Sequence, residues 1–148
     1  MSEESEAIAS TKRRKIVDLS IPMLPEMEIA ATKTAEAVGM FAGLTVDQTE
    51  EVKLAIIEAC INAFEHSHST DETVRVNFEI EDDGITIQIS DRGQGFIPDD
   101  ARRRIAERRS EGQKTRGWGL TIMEELMDNV LVESSDEGTT ITMVKKST

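Results

Sequence analysis

Cysteine is nearly missing from this chain. Cys60 is the only one in 148 residues, so no disulfide can form within the molecule. Its neighbours are apolar at helical spacing and no histidine holds an activating position, so it reads as a small core residue rather than a nucleophile. Tyrosine is absent and Trp118 is the single tryptophan, which leaves one intrinsic fluorophore. No apolar run approaches the roughly 20 residues that span a bilayer. The first residues, MSEESEAIASTKRRK, lack the apolar centre of a secretory signal. These absences make the cytoplasm the expected compartment. Basic residues are also scarce. Seventeen lysines and arginines face 29 acidic residues, a net charge of −12, so the chain as a whole repels nucleic acid and anionic membrane.

What is present is an ordinary globular composition, 38% hydrophobic and 31% charged. The length suits one domain with one core. Residues 1–14 have mixed charge and little to bury, so they are expected to form a disordered tail before a domain over 15–148. Lys12-Arg-Arg-Lys15 is either a solvated charge run or a targeting or anion patch.

Val17, Leu19 and Ile21 alternate with polar residues and predict a strand ended by Pro22. A helix from about Pro25 to Phe41 follows, with Gly43 as its stop. Thr45-Val-Asp-Gln48 has the spacing of a capping box and opens a second helix running to about His66. Val74, Val76, Phe78 and Ile80, then Ile85, Ile87 and Ile89, alternate on either side of Asp82-Asp83-Gly84 and predict a hairpin. Residues 97–116 are polar and arginine-rich, with the length of a functional flap or a disordered connection. A helix from Leu120 to Met127 and a hairpin of Val130–Glu133 with Thr139–Val144 complete the order. The expected architecture is an α+β two-layer sandwich, with helices on one face of a mixed β-sheet.

Four short segments carry chemistry. On the second helix, Glu51, Glu58, Asn62 and Glu65 fall within about 60° of each other, beside an apolar face of Val52, Ile56, Ala59 and Cys60. This stripe is either a solvated helix face or a working one. In the second case Asn62 offers a neutral oxygen to Mg2+ whose other ligands are phosphate oxygens and water. Glu58, one turn earlier, can accept a proton from a hydroxyl. His66 is a phosphate contact or an ordinary helix C-terminal residue.

Asp91 ends a strand just before Gly93 and Gly95. An ionised carboxylate there accepts a hydrogen bond from a donor such as the adenine amine, and glycines let backbone pass close to a flat base. A plain Asp-Gly turn is the other reading. Gly117 and Gly119 precede a helix, where free amides bind phosphate and Arg116 adds charge. Thr139 either donates to the purine or caps its strand. Arg102, Arg103, Arg104, Arg108 and Arg109 form a solvated run, or a flap that closes on phosphates or docks an acidic partner.

In this order, Glu-x-x-x-Asn, Asp-x-Gly-x-Gly, Gly-x-Gly-Leu and Gly-Thr resemble the GHKL ATP-binding superfamily. The segments EACINAFEHS and GWGLTIMEELMDNVLVES are similar to the bacterial anti-sigma factor serine kinases of the sigma-B and sporulation type. The resemblance runs from about Lys15 to Lys146. It implies Glu58 as general base and Asn62 as Mg2+ ligand. It places Asp91, Gly93, Gly95 and Thr139 at the adenine, with Gly117, Gly119 and Leu120 at the phosphates. Residues 97–116 would be the ATP lid. Trp118 is bulkier than the pattern between the glycines, and the lid carries more arginine.

The resemblance further implies phosphorylation of a serine on a small STAS-domain anti-anti-sigma protein, sequestration of a sigma factor, and a homodimer formed through the sheet region before the second helix. A histidine kinase needs a phosphoacceptor segment that is not seen here, so a kinase acting on a separate protein is expected. The alternative is a non-catalytic ATP/ADP-dependent partner switch, such as a phosphatase activator.

Overall fold

The computed structural model describes residues 15–66, 69–93, 116–135 and 138–147. Its strands are β1 (Lys15–Pro22), β2 (Ser69–Glu81), β3 (Gly84–Gly93), β4 (Asn129–Ser135) and β5 (Gly138–Lys146), and its helices are α1 (Glu28–Phe41), α2 (Val46–His66) and α3 (Arg116–Leu126). The expected tail, Gly95, and residues 97–115 of the expected lid lie outside the described residues, as do the side chains of His66, Arg116 and Trp118.

Period-two alternation builds the sheet. The strands lie in the order β1-β2-β3-β5-β4. Registered pairs Val17↔Phe78, Phe78↔Ile87, Ile87↔Met143 and Met143↔Val130 place one row of apolar side chains across all five strands. Phe78, Ile87 and Met143 in that row are fully buried. Each such side chain contributes about 1.5–3 kcal/mol when taken from water. Residues between them, such as Arg75 and Gln88, are exposed on the opposite face.

The helices cover the apolar face. Ala31, Ala35 and Val38 of α1, Val52, Ala55, Ile56, Ala59 and Cys60 of α2, and Met123 of α3 join the same core. Alanines at four of these positions let α1 and α2 approach closely. The two-layer sandwich is therefore as the sequence implied. The expected mixed sheet resolves into four antiparallel pairings. Strands β3 and β4 run in the same direction across the α3 connection, but β5 lies between them, so no parallel neighbours form among the described residues.

Boundaries moved where backbone geometry overrode pattern. Glu26 has a φ of 74°, which holds α1 back to Glu28 rather than Pro25. Strand β5 continues to Lys146, past the charged residues that mark its end in the sequence. At Thr45 the capping box is reciprocal. The Thr45 amide donates to Gln48 Oε1 at 2.9 Å, and the Gln48 amide donates to Thr45 Oγ1 at 3.1 Å.

Candidate nucleotide site

Three anchors fix which end of the sandwich each motif occupies. Gln48, near the start of α2, donates through Nε2 to the Lys146 carbonyl at 3.1 Å, so α2 begins at the end of the sheet where β5 finishes. The chain leaves α2 into β2, whose Ser69 pairs with Gly93. The second half of α2 thus reaches the opposite end, where β3 finishes and β5 starts. Helix α3 runs the other way. The carbonyl of Leu126, its last residue, accepts from Lys145 Nζ, and Asp128 donates its amide to Val144 O at 2.9 Å. Its first turn therefore lies toward the Asp91 end, alongside the second half of α2, against which α3 packs.

Four sequence-distant segments lie toward that end. Glu58 and Asn62 are half-buried on α2, a turn apart on one stripe. Asp91 is half-buried near the end of β3, and Gly93 is the last residue of that strand. Gly117 and Gly119 fall inside the first turn of α3, because the helix opens at Arg116 rather than at Leu120. This suits the phosphate contact expected of them, since the first four amides of a helix have no acceptor within it. Leu120 is exposed at the end of that turn.

The contact between the Asp91 and Gly138-Thr139 segments is direct. The Thr139 amide donates to Asp91 Oδ1 at 3.3 Å. Gly138 has a φ of 135°, and a Cβ placed there would lie 2.3 Å from the Asp91 carbonyl oxygen. Only glycine lets the two strands come this close. The Thr139 hydroxyl lies 2.9 Å from that of Ser134 on β4, a pair in which either can donate. That contact supports a strand-end role for the hydroxyl, while the amide serves the aspartate.

A model of the family described as the histidine kinase-like ATPase domain matches residues 21–145. The chain belongs to this family. It is similar to the serine-protein kinase RsbW of Bacillus licheniformis, with 32% identity over 139 residues, covering 87% of this chain and 84% of the relative. RsbW of Staphylococcus aureus (strain JH9) is 31% identical over 140 residues, covering 90% and 87%. Among solved structures, the RsbU and RsbW domains of a Mycobacterium tuberculosis protein share the fold. They superpose with a TM-score of 0.66 at 18% identity, over 89% of this chain and 32% of that one. The SiaB-SiaC complex of Pseudomonas aeruginosa gives 0.63 at 10% identity, over 95% of each chain. A histidine kinase-like ATPase domain is a nucleotide-binding fold.

The described residues hold no group of three or more His, Cys, Asp or Glu that could cage a metal ion. Asn62, which the resemblance assigns to Mg2+, carries one neutral carboxamide oxygen, which fits an ion held mainly by phosphate oxygens and water. Cys60 is fully buried, and its thiol is pushed up to about 12, chiefly by burial and further by Glu28. It is a core residue, as expected.

Glu51, part of the polar stripe in the sequence, is not at the site end. Its Oε2 lies 3.4 Å from Lys145 Nζ. Sequence reasoning missed Lys145. The signal was available, because Ile141, Met143 and Lys145 share one strand face and the third is charged.

Proposed function

We propose that this chain is an ATP-dependent serine/threonine protein kinase that acts as an anti-sigma factor. In this reading it phosphorylates a STAS-domain anti-anti-sigma protein and sequesters a sigma factor. Membership in the ATPase family and similarity to serine-protein kinase relatives support it. The structural observation that supports it is that α2's second half, α3's first turn and the Asp91–Thr139 contact lie toward one end of the sandwich.

Asp91 accepts from the adenine amine, and Gly93 and Gly95 leave room for the base. The amides of Gly117 and Gly119 face charge on the phosphates, with Arg116 and Leu120 completing that turn. Asn62 would hold Mg2+, which when bound neutralises phosphate charge. Glu58 takes the proton of the incoming serine hydroxyl, and ADP leaves as product. A homodimer through the sheet region before α2 and a cytoplasmic location belong to the same proposal. No described helix is long and apolar enough to cross a membrane.

The test is an intact mass of a STAS-domain partner after incubation with this protein and Mg-ATP. One added phosphate, lost with Glu58→Gln while ATP still binds, is the expected result. Transfer by Glu58→Gln at the wild-type rate removes the base assignment. ATP binding without any phosphorylated partner favours a nucleotide-governed switch instead.

A further inference from the structure

Lys145 is the feature of this core that packing alone does not ask for. Among the described residues, the buried polar or charged side chains are Thr32 and Lys145, and Lys145 is 8% exposed. Its neighbours on the same strand face, Ile141 and Met143, are apolar. A third apolar residue would continue that face without burying an ammonium group, and replacing buried ions by well-packed apolar groups is often neutral or stabilising. The ammonium instead makes two directed contacts on two different helices. It donates to the Leu126 carbonyl in the last turn of α3 and lies 3.4 Å from Glu51 Oε2 in the first half of α2.

Both helices extend from this point toward the nucleotide end, α2 forward in sequence and α3 backward. Along α2, Glu58 lies about 10 Å and Asn62 about 16 Å beyond Glu51 at 1.5 Å per residue. Along α3, Arg116 lies about 15 Å before Leu126. One pin at the far end therefore sets the base and the metal ligand level with the first-turn amides. Helices packed side by side move most readily by sliding along each other, and the pin opposes that motion.

We infer that Lys145 is a positioning residue. It sets the longitudinal register of α2 against α3, and through it the spacing between Glu58 and Asn62 on one side and the Gly117–Gly119 amides on the other. The inference rests on the ATP-site reading above. It predicts a specific pattern, because adenosine is held by Asp91 and the base pocket on the sheet, whereas phosphates engage the two helices.

The test uses the full chain with Lys145→Met, which keeps the stem's apolar contacts, and Glu51→Gln, which keeps a neutral acceptor. Adenosine affinity, ATP affinity, urea midpoint and phosphotransfer rate at saturating ATP are measured for each. The expected result for Lys145→Met is adenosine affinity within about twofold of wild type. Its preference for ATP over adenosine, and its saturating rate, fall about tenfold or more, the scale of a sub-ångström to 1 Å misplacement. Glu51→Gln should fall between it and wild type.

An unchanged ATP-to-adenosine preference and rate, whatever the urea midpoint does, overturns the inference and leaves Lys145 a purely structural residue. Should Lys145→Met fail to fold, Glu51→Gln decides alone, by the same preference and rate. Wild-type protein that binds ATP no more tightly than adenosine overturns the phosphate assignment itself, and the positioning role with it.

Discussion

Replacing Gly138 by alanine probes the closest contact in the candidate site. The new methyl would sit 2.3 Å from the Asp91 carbonyl oxygen and 2.9 Å from its Oδ1, inside any ordinary contact distance. The closer atom is backbone of a neighbouring strand rather than the end of a flexible side chain, so β3 and β5 must separate locally. Overpacking of this kind costs about 1–3 kcal/mol. The φ of 135° adds strain of about 1–3 kcal/mol for a residue with a Cβ. Separation also breaks the 3.3 Å bond from the Thr139 amide and turns the Asp91 carboxylate away from the position proposed for it against the adenine amine. A hydrogen bond to a charged group is worth about 1.5–3 kcal/mol, or about 10- to 150-fold in ATP affinity.

Gly43→Ala is the matched control. Gly43 also has a positive φ, 78°, but nothing lies within 4 Å of a Cβ placed there. It isolates conformational strain in the α1–α2 turn, away from the site. Urea unfolding should show both variants destabilised. ATP titration, followed by Trp118 fluorescence in native conditions, should show a loss of affinity for Gly138→Ala alone. Equal ATP affinity in the two variants would refute the reasoning that this strand contact shapes the nucleotide pocket.

Other perturbations test separate parts of the structure. Asp91→Asn should weaken ATP binding about 10- to 150-fold by removing a charge-assisted acceptor, measured by the same titration. Thr45→Ala should lower stability by about 1 kcal/mol through loss of the α2 cap, read from the urea midpoint at unchanged slope. Cys60, with its thiol raised to about 12, should resist thiol reagents at pH 8 in the native protein and react once urea unfolds it. The Glu36–Lys53 pair, 2.6 Å apart, joins α1 to α2. The hydrogen bond between them holds the Glu36 carboxyl below, and the Lys53 ammonium above, their ordinary values. The Glu36 contribution is full above the ordinary carboxylate pKa and fades as pH falls through its lowered value. The Lys53 contribution is full below the ordinary lysine pKa and fades as pH rises through its raised value. The stability difference between wild type and Lys53→Met should therefore peak near neutral pH and shrink with added salt, since the pair is solvent-accessible.

The sequence by itself determined the elements and named the candidates for the site. Alternation at Val74–Ile80 and Ile85–Ile89 dictates a hairpin because a pleated strand turns successive side chains to opposite faces. The Thr45–Gln48 spacing dictates a helix start because each side chain can reach the other's amide. The Glu58, Asn62, Asp91, Gly117, Gly119 and Thr139 motifs were legible as candidates because they occur together in order, although each alone also suits a plain structural role. Tertiary structure decided the rest. It placed β5 between β3 and β4, which made every described pairing antiparallel. It took Glu51 out of the polar stripe and gave it to Lys145. It brought Gly138 against Asp91, although Asp91 and Thr139 stand 48 residues apart. None of these follows from local pattern, because each depends on which strand or helix end arrives beside another. That choice is made by burial of the shared apolar face, a property of the whole chain rather than of any one segment.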